Sequence, residues 1–297
     1  MGTNVYNLLL AEVSNGMWTR VHEMKQPARL GDGGLGGGML TEQAFRSAAH
    51  AMSQLTAQLA AWGGAEKTYA LATSAVREAK NGVDFAQFIE KEYHISVQII
   101  SGDREAELIC KGIRQGAPLT GEPVLMLDIG GGSNEFIIAN DKEMFWKQSF
   151  PLGMARLLEK FKPSNPITAQ ETTCVQQYLD AALDALWKAL EPYKITTLVG
   201  SSGSFDTYRA MLAAHTADAE PSYPIAPDDF NALYAALLHS AAEERRAMKG
   251  MTPVRVDFIV LAVIFTHLVI RKAHITNILQ CSYSLKEGFI QEICKII

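Results

Sequence analysis

The segment Leu127-Asp128-Ile129-Gly130-Gly131-Gly132-Ser133-Asn134-Glu135 constrains the fold of this chain more than any other. Pro123 to Ile129 and Ser133 to Ala139 both read as buried strands, so three consecutive glycines stand where two strands reverse. A hairpin needs one glycine; three are costly unless the backbone must approach a ligand or take positive φ. Successive N–H groups in such a turn form a nest for an anion. Asp128 and Glu135 bracket the turn. Two carboxylates beside one phosphate call for a divalent cation between them, and Mg²⁺ prefers hard oxygen donors and phosphate.

The unit occurs twice. Gly2-Thr3-Asn4-Val5-Tyr6 aligns with Gly132-Ser133-Asn134-Glu135-Phe136, and Asn15-Gly16 and Asn140-Asp141 then turn each copy back on itself. The second copy has a strand before its glycines and the first has none, so a central strand is expected upstream of Met1. Strands and helices alternate through both halves of the 297 residues. This predicts two duplicated α/β domains with mixed sheets. The expected limits are 1–118 and 119–284, with a terminal helix at 285–297 packing on the first domain. Helices are expected near 41–62, 84–93, 104–115, 153–161, 168–191, 228–248 and 253–271, with an exposed connector from Pro221 to Pro227.

Twenty-seven Lys and Arg against 32 Asp and Glu give a formal net charge of −5, which excludes a general nucleic-acid coat. A polyanionic substrate would need a locally basic cleft, for which Arg29, Arg77, Arg104 and Arg156 are the candidates. Four scattered cysteines without a CxxC pair indicate a reducing compartment, the cytoplasm, and neither a disulfide frame nor a zinc site. The longest apolar stretch, Phe258 to Ile270, has 13 residues. That is short of the ~20 of a membrane span, so it reads as a buried helix with His267 as a core histidine. There is no P-loop and no HExxH. Gly31 to Gly36 fits GxGxxG but follows no strand, so a dinucleotide fold is not supported.

Three more segments can carry chemistry. Ile99 to Leu108 is a strand, a turn and a helix start. Glu105 falls in the first helical turn, where the dipole stabilises a carboxylate fit to accept a proton, although an ordinary helix-start acid would look the same. In Thr73 to Asn81, Arg77 suits bidentate phosphate binding, or a salt bridge with Glu78 or Asp84. Strand 195–199 runs into Gly200-Ser201-Ser202-Gly203 at a helix N-terminus, which is either an anion site or a tight turn.

Taken together, these features resemble the actin-like ATPase and sugar-kinase superfamily of paired ribonuclease-H-like domains with an inter-domain cleft. Within it the chain resembles the exopolyphosphatase/guanosine pentaphosphate phosphohydrolase family, in its short form. Gly2-Thr3-Asn4 resembles the end of D-x-G-[ST]-N, Thr73–Asn81 resembles T-[SA]-A-x-R-x-A-x-N, Ile100–Leu108 resembles I-S-G-x-x-E-A-x-L, and Asp128–Glu135 resembles D-x-G-G-G-S-x-E. Arg29-Leu30-Gly31 and Pro151-Leu152-Gly153 are similar to further family landmarks. The resemblance implies hydrolysis of the terminal phosphoanhydride of inorganic polyphosphate. Glu105 would be the base, and Asp128 and Glu135 would hold Mg²⁺ or another divalent cation. Thr3, Asn4, Arg77, Gly130, Gly131, Gly132, Ser133, Asn134, Gly200 and Ser201 would bind phosphate. The alternatives are a guanosine polyphosphate substrate (a guanosine pentaphosphate 5′-phosphohydrolase), a superfamily kinase, or an inactive phosphate sensor; a homodimer is possible. The chain departs from the family pattern in three places. The opening Asp is absent. A family G-T-G-G-T loop reads Gly200-Ser201-Ser202-Gly203-Ser204, and S-x-R-E-G reads Ser284-Leu285-Lys286-Glu287-Gly288. The last change replaces a planar guanidinium fork by an ammonium.

Overall fold

The computed structural model describes residues 1–31, 37–213 and 220–294. The glycine run 32–36 therefore lies outside the described residues. The chain separates into two compact units, Met1–Glu105 with Phe289–Ile297, and Ala106–Gly288.

In the first unit, β1 (Val5–Ser14) and β2 (Met17–Pro27) form an antiparallel hairpin. Its two-residue loop has Asn15 at φ 54° and Gly16 at φ 71°, the left-handed pair that a type I′ turn demands. Helix α1 (Glu42–Ala61) starts at Thr41, whose side chain accepts from the Ala44 N–H. Its stripe of Ala44, Ala48, Ala51, Met52 and Leu55 is buried in one cluster with Tyr6, Phe85 and Ile89. Then come β3 (Ala70–Ala72), α2 (Ser74–Glu78), α3 (Gly82–Tyr93) and β4 (Val97–Ile99), with β3 and β4 parallel. Helix α4 (Gly102–Gly116) follows, and the division between the units falls inside it, after Glu105. The short α2 is not among the helices expected from sequence; five residues are too few to show a helical period. Among the described residues β1 pairs with β2, and β3 with β4, as two separate two-stranded sheets. Met1 lies along β3, its ammonium donating to Leu71 O (2.6 Å) and its carbonyl accepting from Thr73 N (3.3 Å).

The second unit is built in chain order from β5 (Val124–Ile129), β6 (Asn134–Ala139), β7 (Met144–Phe150), α5 (Met154–Phe161), α6 (Ala169–Ala182), α7 (Asp184–Leu190) and β8 (Thr197–Ser201). It continues with α8 (Ser202–Leu212), β9 (Ser222–Ile225), α9 (Pro227–His239), α10 (Ala242–Ala247), α11 (Ile259–Lys272), β10 (Asn277–Cys281) and α12 (Leu285–Cys294), whose last residues belong to the first unit. One six-stranded sheet runs β7-β6-β5-β8-β10-β9. The β5–β8 and β8–β10 pairs are parallel and the others antiparallel, so the sheet is mixed. Every residue of β5 and β6 is buried, because both faces are covered. Leu125, Leu127, Phe136 and Ile138 pack with α11, while Met126, Ile137 and Ala139 pack with Ile109, Cys110 and Ile113 of α4. That double burial is why Val124–Leu127 and Phe136–Ala139 read as continuous apolar runs, with Asp128, Asn134 and Glu135 at the turn end of the strands.

Several helices differ from the sequence reading. The helix expected at 168–191 is two, α6 and α7, meeting at Leu183 with φ −98° and ψ 15°. The one expected at 228–248 is also two, and residues 253–258 form turns, so α11 starts later. The connector 221–227 contains β9, an edge strand, where Pro224 is tolerated because an edge can spare an N–H. His267 stacks on Tyr234 with centroids 4.0 Å apart, and burial, aided by Arg271, lowers its pKa.

Candidate active site

The turn 130–133 is held from one side. The carbonyls of Gly130, Gly131 and Gly132 accept from the N–H groups of Met154 (3.0 Å), Ala155 (2.9 Å) and Gly153 (3.2 Å), and Arg156 Nε also donates to Gly132 O (2.9 Å). Gly130 N donates to Ser133 O and to Asn134 Oδ1, both at 3.1 Å. The N–H groups of Gly131, Gly132 and Ser133 have no partner among the described residues. The start of α5 thus takes the carbonyls and leaves three consecutive donors for an anion. Positive φ is not the reason for the glycines, since none of the three has it. Close approach requires glycine at Gly130, where a Cβ would lie 2.5 Å from Ser133 O, and at Gly153, where it would lie 2.3 Å from Gly131 C and O and 2.4 Å from Gly132 C. Asn134, expected to bind phosphate, uses its side chain as a strut, accepting from Gly130 N and donating to Leu152 O (2.8 Å).

Asp128 and Glu135 are direct partners in the β5–β6 register and so project on one face of the sheet. They are 6% and 1% exposed. Asp128 Oδ2 accepts from the hydroxyls of Ser201 (2.8 Å), Ser202 (2.7 Å) and Ser284. Glu135 Oε1 accepts from Ser133 and Ser149, both at 2.7 Å. The donor chemistry fits a hard divalent cation. The set is all oxygen, and the three hydroxyls on Asp128 converge on Oδ2 and not on Oδ1, so one oxygen of the carboxylate could face a cation. Among the described residues no group of three or more His, Cys, Asp or Glu gathers. Any such cation would complete its shell with phosphate oxygens and water, as Mg²⁺ commonly does.

Ser201 and Ser202 bring Asp128 over the start of α8, where the helix dipole favours an anion. Ser202 holds φ 69°, an uncommon conformation for a residue with a Cβ. Gly200 serves packing, since a Cβ there would meet the Phe205 ring at 2.0 Å. At Gly203 a Cβ would fall 1.6 Å from Arg255 Nη2, so the guanidinium lies directly on the first turn of α8. Burial lowers the Arg255 pKa against the opposing charges of Asp206, Tyr208 and Asp128. Sequence reasoning missed Arg255 and Ser149, and met Ser202 and Ser284 only within segments that depart from the family pattern, with no bond to Asp128 expected of either. Only Ser284 carried a local signal, the S-x-x-E spacing of a capping box: Glu287 Oε2 does accept from Ser284 N (2.9 Å).

In the first unit Glu105 is 8% exposed at the start of α4, where its N–H donates to Ser101 O (2.9 Å). Arg77 Nη1 donates to Glu105 Oε2 (2.8 Å) and to Ile100 O (3.3 Å). Glu78, one of the partners weighed from sequence, is 3.9 Å away from Nη2. Arg104 pairs with Glu292. The turn 2–4 repeats the pattern of 130–133: Gly2 N donates to Val5 O (3.2 Å) as Gly130 N does to Ser133 O, and the carbonyls of Thr3 and Asn4 accept from the N–H groups of Ala28, Arg29 and Leu30. Gly2 therefore answers to Gly130, which corrects the alignment of Gly2 with Gly132 by two residues; Asn134 lies in β6 and not in the turn. The N–H groups of Thr3 and Asn4 have no partner among the described residues.

Residues 9–295 match the model of the Ppx/GppA phosphatase family. The chain is 27% identical to exopolyphosphatase 1 of Mycobacterium leprae over 98% of this chain and 86% of that protein. It is 24% identical to a putative exopolyphosphatase of Haemophilus influenzae, over 99% and 90%. Among solved structures, an exopolyphosphatase from Cytophaga hutchinsonii superposes with a TM-score of 0.95 at 34% identity, covering 100% of this chain and 96% of that one. The Aquifex aeolicus Ppx/GppA enzyme, at 20% identity and TM-score 0.80 over 98% and 97%, shares the fold.

Proposed function

The chain belongs to the Ppx/GppA phosphatase family, and on that premise we propose that it hydrolyses the terminal phosphoanhydride of inorganic polyphosphate. The observation that carries this reading is the row of unpartnered N–H groups at 131–133 beside the buried carboxylates Asp128 and Glu135. Donors in that position suit a terminal phosphoryl group, whose oxygens gain charge as the anhydride breaks. Asp128 and Glu135 would hold Mg²⁺, which when bound neutralises phosphate charge. Asp128 would ligate through Oδ1, since Ser201, Ser202 and Ser284 occupy Oδ2. Glu105 would take the proton of the attacking water, with the departing polyphosphate as leaving group; no covalent nucleophile is required. Thr3 and Asn4 offer further backbone donors in the first unit.

The test is phosphate release with Mg²⁺ from long-chain polyphosphate, guanosine pentaphosphate, and ATP with a panel of sugars. Orthophosphate released progressively from polyphosphate, and faster than from guanosine pentaphosphate, is expected. Release from guanosine pentaphosphate alone would move the assignment to that substrate. Sugar phosphorylation would replace hydrolysis by kinase chemistry.

A further inference from the structure

We propose that Arg77 is a substrate-released latch on Glu105: the guanidinium restrains the carboxylate in the resting enzyme, and the arriving phosphate chain draws it off. This rests on the reading of Glu105 as the base. The geometry that points to it is a single contact with two incompatible uses. Arg77 Nη1 lies 2.8 Å from Glu105 Oε2, and both side chains are largely buried, at 18% and 10% exposure. A cation this close holds a carboxylate in its ionised form and makes it a poor proton acceptor. A base for water attack needs the opposite.

The rest of the cluster allows Arg77 to change partners. Its Nη1 also touches Ile100 O at 3.3 Å, and its Nη2 is within 3.9 Å of Glu78 Oε1, which already accepts from Ser74 Oγ (2.6 Å). Glu105 is the one carboxylate within hydrogen-bond distance of Arg77 among the contacts described. A terminal phosphate carries more charge than a carboxylate and presents two oxygens to the guanidinium fork. Once Arg77 turns to it, the 2.8 Å guanidinium contact on Glu105 is lost and its basicity rises. The water proton then passes to Glu105 as the new P–O bond forms and the anhydride P–O bond breaks; the proton leaves to solvent afterwards. Base strength would thus appear only with substrate in place. The other charged groups near Glu105 are the Met1 ammonium, which the carboxylate attracts, and Asp103 and Arg104 in the same helical turn, Arg104 paired with Glu292.

The test is the pH dependence of phosphate release from polyphosphate by the intact protein. The acid limb of kcat/KM reports the free enzyme and that of kcat the substrate complex. In the wild type the kcat limb is expected at higher pH than the kcat/KM limb, by about 1–3 pH units, the span that one close opposite charge commands. In Arg77→Gln the two limbs should coincide and KM should rise; Arg77→Lys should keep part of the separation. Ionisation of the substrate is common to all three proteins and cancels in the comparison. Coincident limbs in the wild type, which needs no variant to fold, would overturn the latch, as would an unchanged separation in Arg77→Gln. Undiminished turnover in Glu105→Gln would instead remove the base reading on which the latch rests.

Discussion

Replacing Gly153 by Ala tests whether the 130–133 turn works through its exact placement. The added Cβ would lie 2.3 Å from Gly131 C and O, and every atom it meets first is backbone. Ordinary contact begins at 3.4 Å, so the turn and the start of α5 must separate by about 1 Å. No flexible side chain can absorb this. Overpacking of this kind costs about 1–3 kcal/mol. The same displacement loosens the bonds from Gly153, Met154 and Ala155 that hold the turn carbonyls, and it moves the three free N–H groups with them. A misplacement of about 1 Å in positioning groups can lower turnover by about 10²-fold. The assay is steady-state phosphate release, with thermal denaturation followed in parallel. Gly121→Ala is the control, since a Cβ there meets nothing within 4 Å. The expected result is a loss of about 10²-fold in kcat/KM for Gly153→Ala at a temperature where it is still folded, and none for Gly121→Ala. A folded Gly153→Ala protein with full activity would refute the claim that the turn's placement carries binding.

Glu105→Gln keeps shape and removes proton acceptance; it should lower kcat at least ~10²-fold with little change in KM, read by initial rates. Ser284→Ala removes one hydroxyl from Asp128 Oδ2, and the Mg²⁺ concentration for half-maximal activity should rise by about 10–100-fold, measured by metal titration. Because burial lowers the pKa of His267, the unfolded chain binds its proton first, so its contribution to stability is present above about pH 6.5 and declines as pH falls. Urea midpoints at pH 7.5 and 5.5 should therefore separate less in His267→Gln than in the wild type.

The parts of the fold legible in sequence are those whose signal is local. Asn15-Gly16 announces a type I′ loop by its two left-handed residues, and Thr41 announces α1 by its cap. The apolar runs Val124–Leu127 and Phe136–Ala139 within β5 and β6 announce a sheet covered on both faces. What escaped had no local mark. Leu183 interrupts a helical pattern without glycine or proline, and only the tertiary packing of its fully buried side chain turns the chain there. The three prolines of 221–227 conceal β9, because an edge strand obeys different rules from a central one.

The site divides along the same line. Asp128 and Glu135 could be paired from sequence because a tight turn makes positions equidistant from it face each other. Their hydroxyl donors come from Ser149, Ser201, Ser202 and Ser284, on separate elements that only the sheet order assembles. Arg77 was read as a phosphate ligand, yet its contact with Glu105 spans 28 residues and depends on the parallel pairing of β3 with β4, which brings the ends of both strands together. A duplicated turn is legible in the sequence, but not its register, since Gly2 answers to Gly130 and not to Gly132, nor its chemical polarity. In each unit the segment after the hairpin's second strand, Ala28–Leu30 or Gly153–Ala155, donates its N–H groups to the turn carbonyls. That bonding fixes which side of the peptide planes remains open. Without the return segment the turn could offer carbonyls as readily as N–H groups, and a cation rather than a phosphate would be its natural ligand. Anion selectivity is therefore a property of the turn together with its return segment, which is why a change at Gly153, outside the glycine run, should be felt at the N–H groups of 131–133.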